Sequence, residues 1–170
     1  MHVVFTIGYE GTDIATFIET LKAVGVERVA DVRALALSRK KGFSKKSLAE
    51  NLEQADIEYV HLQKLGDPKP GRDAARAGEY EKFEKIYWDH LLSQPAQESL
   101  NVLRKLVSEK PTCLLCFERD HETCHRSIVA SELFAEDIEI FNLVGDDPKR
   151  YVRNADKLPR FNSCESFAAA

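Results

Sequence analysis

With 170 residues and a hydrophobic fraction of 44%, the chain is long enough to bury one substantial core and too apolar for a disordered protein. Its formal net charge of −4 excludes a uniformly basic nucleic-acid binder, though not a local basic patch. Met1 to Gly8 lacks the basic segment and long apolar run of a signal peptide, and no apolar run is long enough to cross a bilayer, so a cytoplasmic protein is expected.

Val3 to Ile7 is a β-branched and aromatic run, read as the first strand. Gly8-Tyr9-Glu10-Gly11 breaks it. Thr12 suits a helix N-cap, and Ile14, Phe17, Ile18 and Leu21 follow helical spacing up to a stop at Gly25. Val26 to Val32 reads as the second strand and Arg33 to Gly42 as a loop. Ser44 can cap a helix from Lys45 to about Ala55, and Ile57 to Leu62 reads as the third strand. Gly66-Asp67-Pro68-Lys69-Pro70-Gly71 has the composition of a loop. Helices are predicted over Tyr80 to Leu92 and over Ala96 to Val107, with Pro95 in the first turn of the second. Thr112 to Phe117 is continuously apolar, as in a strand buried on both faces. A helix over His125 to Ala135 and a strand over Ile138 to Val144 complete the order. Strand and helix alternate throughout. The predicted fold is therefore α/β: a three-layer, doubly wound, mostly parallel sheet of about five strands with helices on both faces. Residues 1–145 form one domain in this reading, and 146–170 form a polar, irregular, partly ordered tail.

Open parallel sheets bind ligands beyond the carboxyl ends of their strands. The unusual polar residues of this chain fall there. The first strand ends in Gly8-Tyr9, the second in Asp31-Val32-Arg33 and the fourth in Cys116-Phe117-Glu118, while the following helix opens with Cys124-His125-Arg126. A helix start favours anions, and Arg126 adds a planar donor fork suited to phosphate or carboxylate. Cys124 beside His125 in that position favours a thiolate nucleophile, with Glu118 as acid or base. Each residue also has a plainer role open to it. Asp31 and Arg33 can form an ion pair, Cys116 can be core, and Gly8-x-x-Gly11 can be a simple turn.

Cys113, Cys116, Cys124 and His125 offer four zinc donors by count. Residues three apart on a strand point to opposite faces, however, so Cys113 and Cys116 should not converge and neither a structural zinc nor any other cofactor is expected. The cysteine phosphatase pattern is absent. With five residues between, Cys116 is followed by Glu122 and Cys124 by Ala130, where an arginine is needed. Arg39 to Lys46 is the one dense basic run. It is either a solvated loop or a grip on an anionic partner, with nucleic acid foremost.

Thr6-Ile7-Gly8-Tyr9, Asp31-Val32-Arg33, Ser38, Phe43, Leu65-Gly66, Cys116-x-Glu118 and Cys124-His125-Arg126 together resemble the DUF488 family of uncharacterised prokaryotic proteins, over roughly residues 3 to 145. The resemblance implies a compact α/β fold and importance for Asp31, Arg33, Cys116, Glu118, Cys124, His125 and Arg126. It supplies no reaction. The chain departs from the family pattern at Ala36-Leu37, where a proline often precedes the serine, and at Asp67, where a second glycine is usual. The expected function is an enzyme acting on a phosphorylated or anionic substrate. Cys124, Glu118, His125 and Asp31 would do the chemistry, and Arg33, Arg126, Gly8, Tyr9, Cys116 and Ser38 would bind. The alternatives are an anion or nucleic-acid binding protein without turnover and a small zinc protein.

Overall fold

The computed structural model describes residues 1–134 and 137–161. Five strands, β1 (His2–Gly8), β2 (Arg28–Asp31), β3 (Glu58–His61), β4 (Thr112–Cys116) and β5 (Ile138–Val144), form one sheet in the order β3-β2-β4-β1-β5. Every pairing is parallel, so the predicted α/β sheet is present.

Alternation along the strands divides the core in two. Val3, Phe5 and Ile7 of β1 and Cys113 and Leu115 of β4 point to one face. There they meet Phe17 and Leu21 of α1 (Ile14–Ala23), Leu48 and Leu52 of α2 (Lys45–Gln54) and Tyr151 of a C-terminal helix (Pro148–Arg153). Val4, Ala30 and Leu114 point the other way. They lie under α3 (Lys69–Arg76), α4 (Tyr80–Leu91), α5 (Gln94–Glu109) and α6 (His125–Ser131). The C-terminal helix is α7. No described helix is long and apolar enough to cross a membrane.

Three local expectations change. Asp13, not Thr12, caps α1: its carboxylate accepts from Thr16 N at 2.8 Å, while the Thr12 hydroxyl donates to Gly145 O at 2.6 Å. The segment read as loop at 66–71 turns helical at Lys69, because a proline in the first turn, here Pro70, removes an N–H that has no intrahelical partner there. The segment after Asp146 is not irregular throughout, since α7 buries Tyr151, whose hydroxyl accepts from Val144 N at 2.7 Å. Ala135, at the predicted end of α6, lies outside the described residues, and α6 itself ends at Ser131.

The topology fixes where a site belongs. β1 is followed by α1 on one face of the sheet and its neighbour β4 by α6 on the other. Chains that leave adjacent strands in opposite directions open a crevice at the carboxyl edge between them.

Candidate functional site

A cleft of about 540 Å³ occupies that edge. Cys116, Cys124, His125, Glu118 and Asp67 lie along it with Tyr9 and Arg33, and Arg72 and Arg76 of α3 reach it from the other side. Leu35, Leu37, Phe117 and Tyr80 border it and are exposed by 58%, 75%, 45% and 47%, which gives the cleft an apolar rim.

Two thiols and one imidazole meet in the cleft. Cys116 ends β4 and Cys124 immediately precedes α6, whose first residue is His125. The His125 Nδ1 lies 3.8 Å from Cys116 Sγ and 3.9 Å from Cys124 Sγ. Its other nitrogen, Nε2, donates to Val32 O at 2.7 Å, which fixes the ring and leaves Nδ1 to the sulfurs. Tyr87 packs against the ring with centroids 5.1 Å apart, and its own hydroxyl donates to Leu65 O. Cys116 Sγ sits 3.2 Å from Glu118 Oε2.

Burial and charge divide these groups sharply. Burial pushes the Cys124 thiol up. The Cys116 thiol as hydrogen-bond donor and the cations His125 and Arg126 outweigh it, so Cys124 falls well below the usual thiol range. Burial likewise opposes a charged His125, but the Cys124 thiolate holds the imidazole up at about 9. Cys116 is driven the other way, by its hydrogen bond to Cys124 and by burial. These shifts all favour a Cys124 thiolate paired with a His125 imidazolium, with Cys116 as the protonated neighbour. Burial, reinforced by the thiolate, raises Glu118 to about 7. Burial raises Asp67 to about 6 despite the nearby cations His125 and Arg72.

The other expected site residues are placed differently. Asp31 is fully buried. It accepts from Arg33 Nε at 2.9 Å, Arg33 Nη2 at 2.7 Å, Arg33 N at 3.1 Å and Tyr59 OH at 2.6 Å. Arg33 also donates to Phe43 O and to Tyr9 OH. The two form an internal brace: the Asp31 carboxylate is engaged by Arg33 and Tyr59, and Arg33 reaches the cleft with its donors engaged. Arg126, expected to hold an anion, has no exposed surface and spends its donors on Glu118 O, Arg119 O and Thr6 Oγ1. Ser38 accepts from Lys40 N and Ser44 Oγ within its own loop and stays out of the cleft. Tyr9 does line the cleft, stacked on Phe43 with centroids 4.5 Å apart. Gly8 permits a close approach of backbone. A Cβ there would overlap the Glu118 carbonyl, so only glycine lets the ends of β1 and β4 run side by side.

A family model described as a domain of unknown function, DUF488, matches residues 13–133 of the 170. The chain belongs to the DUF488 family. The match spans Asp31, Arg33, Cys116, Glu118, Cys124, His125 and Arg126. Neither a curated protein nor a solved structure matches the chain.

In this DUF488 domain one donor atom each from Cys116, Cys124 and His125 lie within 4.8 Å of one another, enough for a soft metal ion. Cys113 does face away, packed toward α1 and α2, as strand alternation requires. Three donors nonetheless converge without it, so the separation of Cys113 from Cys116 does not by itself exclude a metal. Asp67 and Arg72 were not anticipated as site residues. The signal for Asp67 was present as the one charged residue standing where the family pattern has glycine. Arg72 gave none, because its place depends on α3 folding over the sheet edge.

Proposed function

We propose that this protein is an enzyme of covalent thiol chemistry, with Cys124 as nucleophile and His125 as the cation that keeps it ionised. Glu118 serves as acid or base beside Cys116, and the substrate is a small anionic or phosphorylated molecule bound in the cleft. The observation that carries this reading is the orientation of His125, locked through Nε2 to Val32 O at 2.7 Å with Nδ1 turned toward Cys124 Sγ at 3.9 Å. A buried cysteine that merely packs needs no such oriented partner. Arg76, largely exposed on α3, is better suited to the substrate's charge than the buried Arg33 and Arg126, and Arg72 lies beside it with one nitrogen donating to Asp67 O. The decisive measurement is the alkylation rate of each cysteine in the folded protein by iodoacetamide, resolved by peptide mass. Cys124 should react far faster than Cys113 and be protected by phosphate esters that fit the cleft. Equal rates at the two positions refute the nucleophile. Protection without any turnover on a panel of acyl and phosphoryl esters reduces the protein to an anion binder.

A larger anionic partner is supported by the loop before α2. Arg39, Lys41, Lys45 and Lys46 are exposed and make no ion pair among the described residues, and Lys40 reaches Tyr9 O at the cleft edge at 3.5 Å. Nucleic acid fits this distribution. Binding of labelled oligonucleotides should then weaken steeply with salt, with a slope of roughly −0.7 per phosphate contact for single strands. No binding even at low salt leaves the loop a solvated surface.

A further inference from the structure

In a single-nucleophile mechanism Cys116 does no more than donate a hydrogen bond to the Cys124 sulfur. It is nevertheless only 6% exposed, lines the cleft, and shares His125 Nδ1 with Cys124. Their donor atoms lie within 4.8 Å of each other. Glu118 Oε2, at 3.2 Å, is placed to take the proton from Cys116 Sγ. A second thiol with its own base, within reach of the first, is the arrangement that thiol–disulfide chemistry requires. Both cysteines stand at element ends, on either side of the turn at 117–123, so their side chains can rotate toward a sulfur–sulfur bond of about 2.05 Å without disturbing a strand or helix interior. Cys113 packs on the opposite face of the sheet and cannot take part.

We infer that Cys116 is the resolving thiol for Cys124, and that the pair closes to a reversible disulfide as a hydroperoxide is reduced in the cleft. The inference rests on Cys124 as the nucleophile. The Cys124 thiolate attacks the terminal peroxide oxygen. An S–O bond forms, the O–O bond breaks, and the departing alkoxide takes the proton of the His125 imidazolium, leaving an alcohol and Cys124 sulfenic acid. Cys116 then gives its proton to Glu118 and attacks the Cys124 sulfur. The S–S bond forms, the S–O bond breaks, and hydroxide leaves as water with the proton from Glu118. Sulfur loses two electrons and the peroxide gains them. A dithiol reductant, small or protein-borne, returns the pair to its reduced form by exchange.

The test uses the full chain, with metal content measured first. The protein is treated with cumene hydroperoxide and mapped without reduction. Trypsin cuts at Arg119 between the two cysteines, and fragmentation assigns the linked sulfur. The wild-type protein should give a Cys116–Cys124 link that dithiothreitol reverses, with Cys113 unmodified. The variant Cys116→Ser, checked for fold by circular dichroism, should accumulate Cys124 sulfenic acid trapped by a cyclic 1,3-dione, about tenfold or more above wild type. Several results overturn the inference: a link from Cys124 to Cys164, which lies outside the described residues, equal dione labelling in the two proteins, or one tightly held zinc per chain that shields both thiols. Rapid alkylation of Cys124 with no link removes the resolving role and leaves the nucleophile standing. A Cys124 inert to both reagents removes both readings.

Discussion

Replacing Gly8 by alanine tests how the site is assembled without touching any reactive group. The added methyl would overlap the Glu118 carbonyl carbon and oxygen and stand 3.0 Å from Arg119 N. Those are backbone atoms, so no flexible side chain can yield. Forcing an extra carbon into such a contact costs about 1–3 kcal/mol, and more where the obstacle is rigid. The same carbonyl accepts from Arg126 Nη1 at 2.5 Å, and pushing it aside weakens a bond to a buried cation, worth about 1.5–3 kcal/mol. Together the loss should be about 3–5 kcal/mol, a large share of the 5–15 kcal/mol that ordinarily holds a domain together. For a chain of this size the thermal midpoint should fall by roughly 10 °C. Because Glu118 and Cys116 are attached to the displaced segment, Cys124 alkylation should slow as well. Thermal unfolding followed by circular dichroism, beside iodoacetamide kinetics at a temperature where the variant is folded, reads both effects. A midpoint within about 2 °C of wild type would show that β1 and the turn after β4 are not in the close contact on which the site geometry depends.

Three further outcomes follow from the same structure. Arg33→Ala should destabilise by about 3–5 kcal/mol, because Asp31 is left buried and charged without its partner, while Cys124 alkylation in the folded fraction stays near wild type. A stable variant that has lost phosphate-ester protection would instead return Arg33 to the binding machinery. Asp67→Asn should stabilise the protein at neutral pH. Burial raises this carboxyl from 3.8 to about 6, so its stabilising contribution is present below the lower value and lost as pH rises through the upper one. The gain should approach 3 kcal/mol at most, about 1.36 kcal/mol per pH unit, and vanish in urea titrations run below pH of about 4. A gain independent of pH contradicts that origin. His125→Ala should remove the cation that holds Cys124 ionised and slow its alkylation near pH 6.5 by about tenfold or more, whereas an unchanged rate would mean the thiolate is held by something else.

The strands and most helices were legible because their signals are local. β5 runs over Ile138–Val144, the residues that its apolar run marked, and the continuous apolar stretch of β4 gave a strand covered on both faces. The start of α3 was not legible, because Pro68, Pro70 and Gly71 carry turn chemistry and only packing of Ala74 beneath α4 makes a helix of them. The meeting of Cys116 with Cys124 and His125 could be anticipated, since a strand, a short turn and a helix bring them together within one stretch of chain. The Asp31–Arg33 ion pair was one of the roles open to those residues, but the further commitments of Asp31, Arg33 and Arg126 could not be anticipated. They are made to Tyr59, Phe43 and the Glu118 carbonyl, and sequence alone cannot tell a charged residue at a sheet edge that faces a ligand from one that braces the edge itself.

That distinction changes what the arginine near Cys124 is for. Arg126 has no surface from which to grip a substrate, yet its charge is near enough to lower the Cys124 thiol. The nearest charge it favours is then that of the protein's own sulfur, whose pKa His125 and Cys116 lower more strongly. Its guanidinium also ties the carbonyls of Glu118 and Arg119 to the first turn of α6, so one buried cation both shapes the turn that carries Glu118 and favours an ionised Cys124. His125 repeats the pattern from the other side, with one nitrogen on a carbonyl of the loop after β2 and the other on the sulfurs. Both side chains are anchored on backbone oxygens, so either can leave Cys124 only by giving up those hydrogen bonds. An anionic substrate of the proposed kind would then meet the arginines of α3, of which Arg76 pairs only loosely with Asp73 at 3.8 Å and stays largely exposed, while Arg72 already donates to Asp67 O.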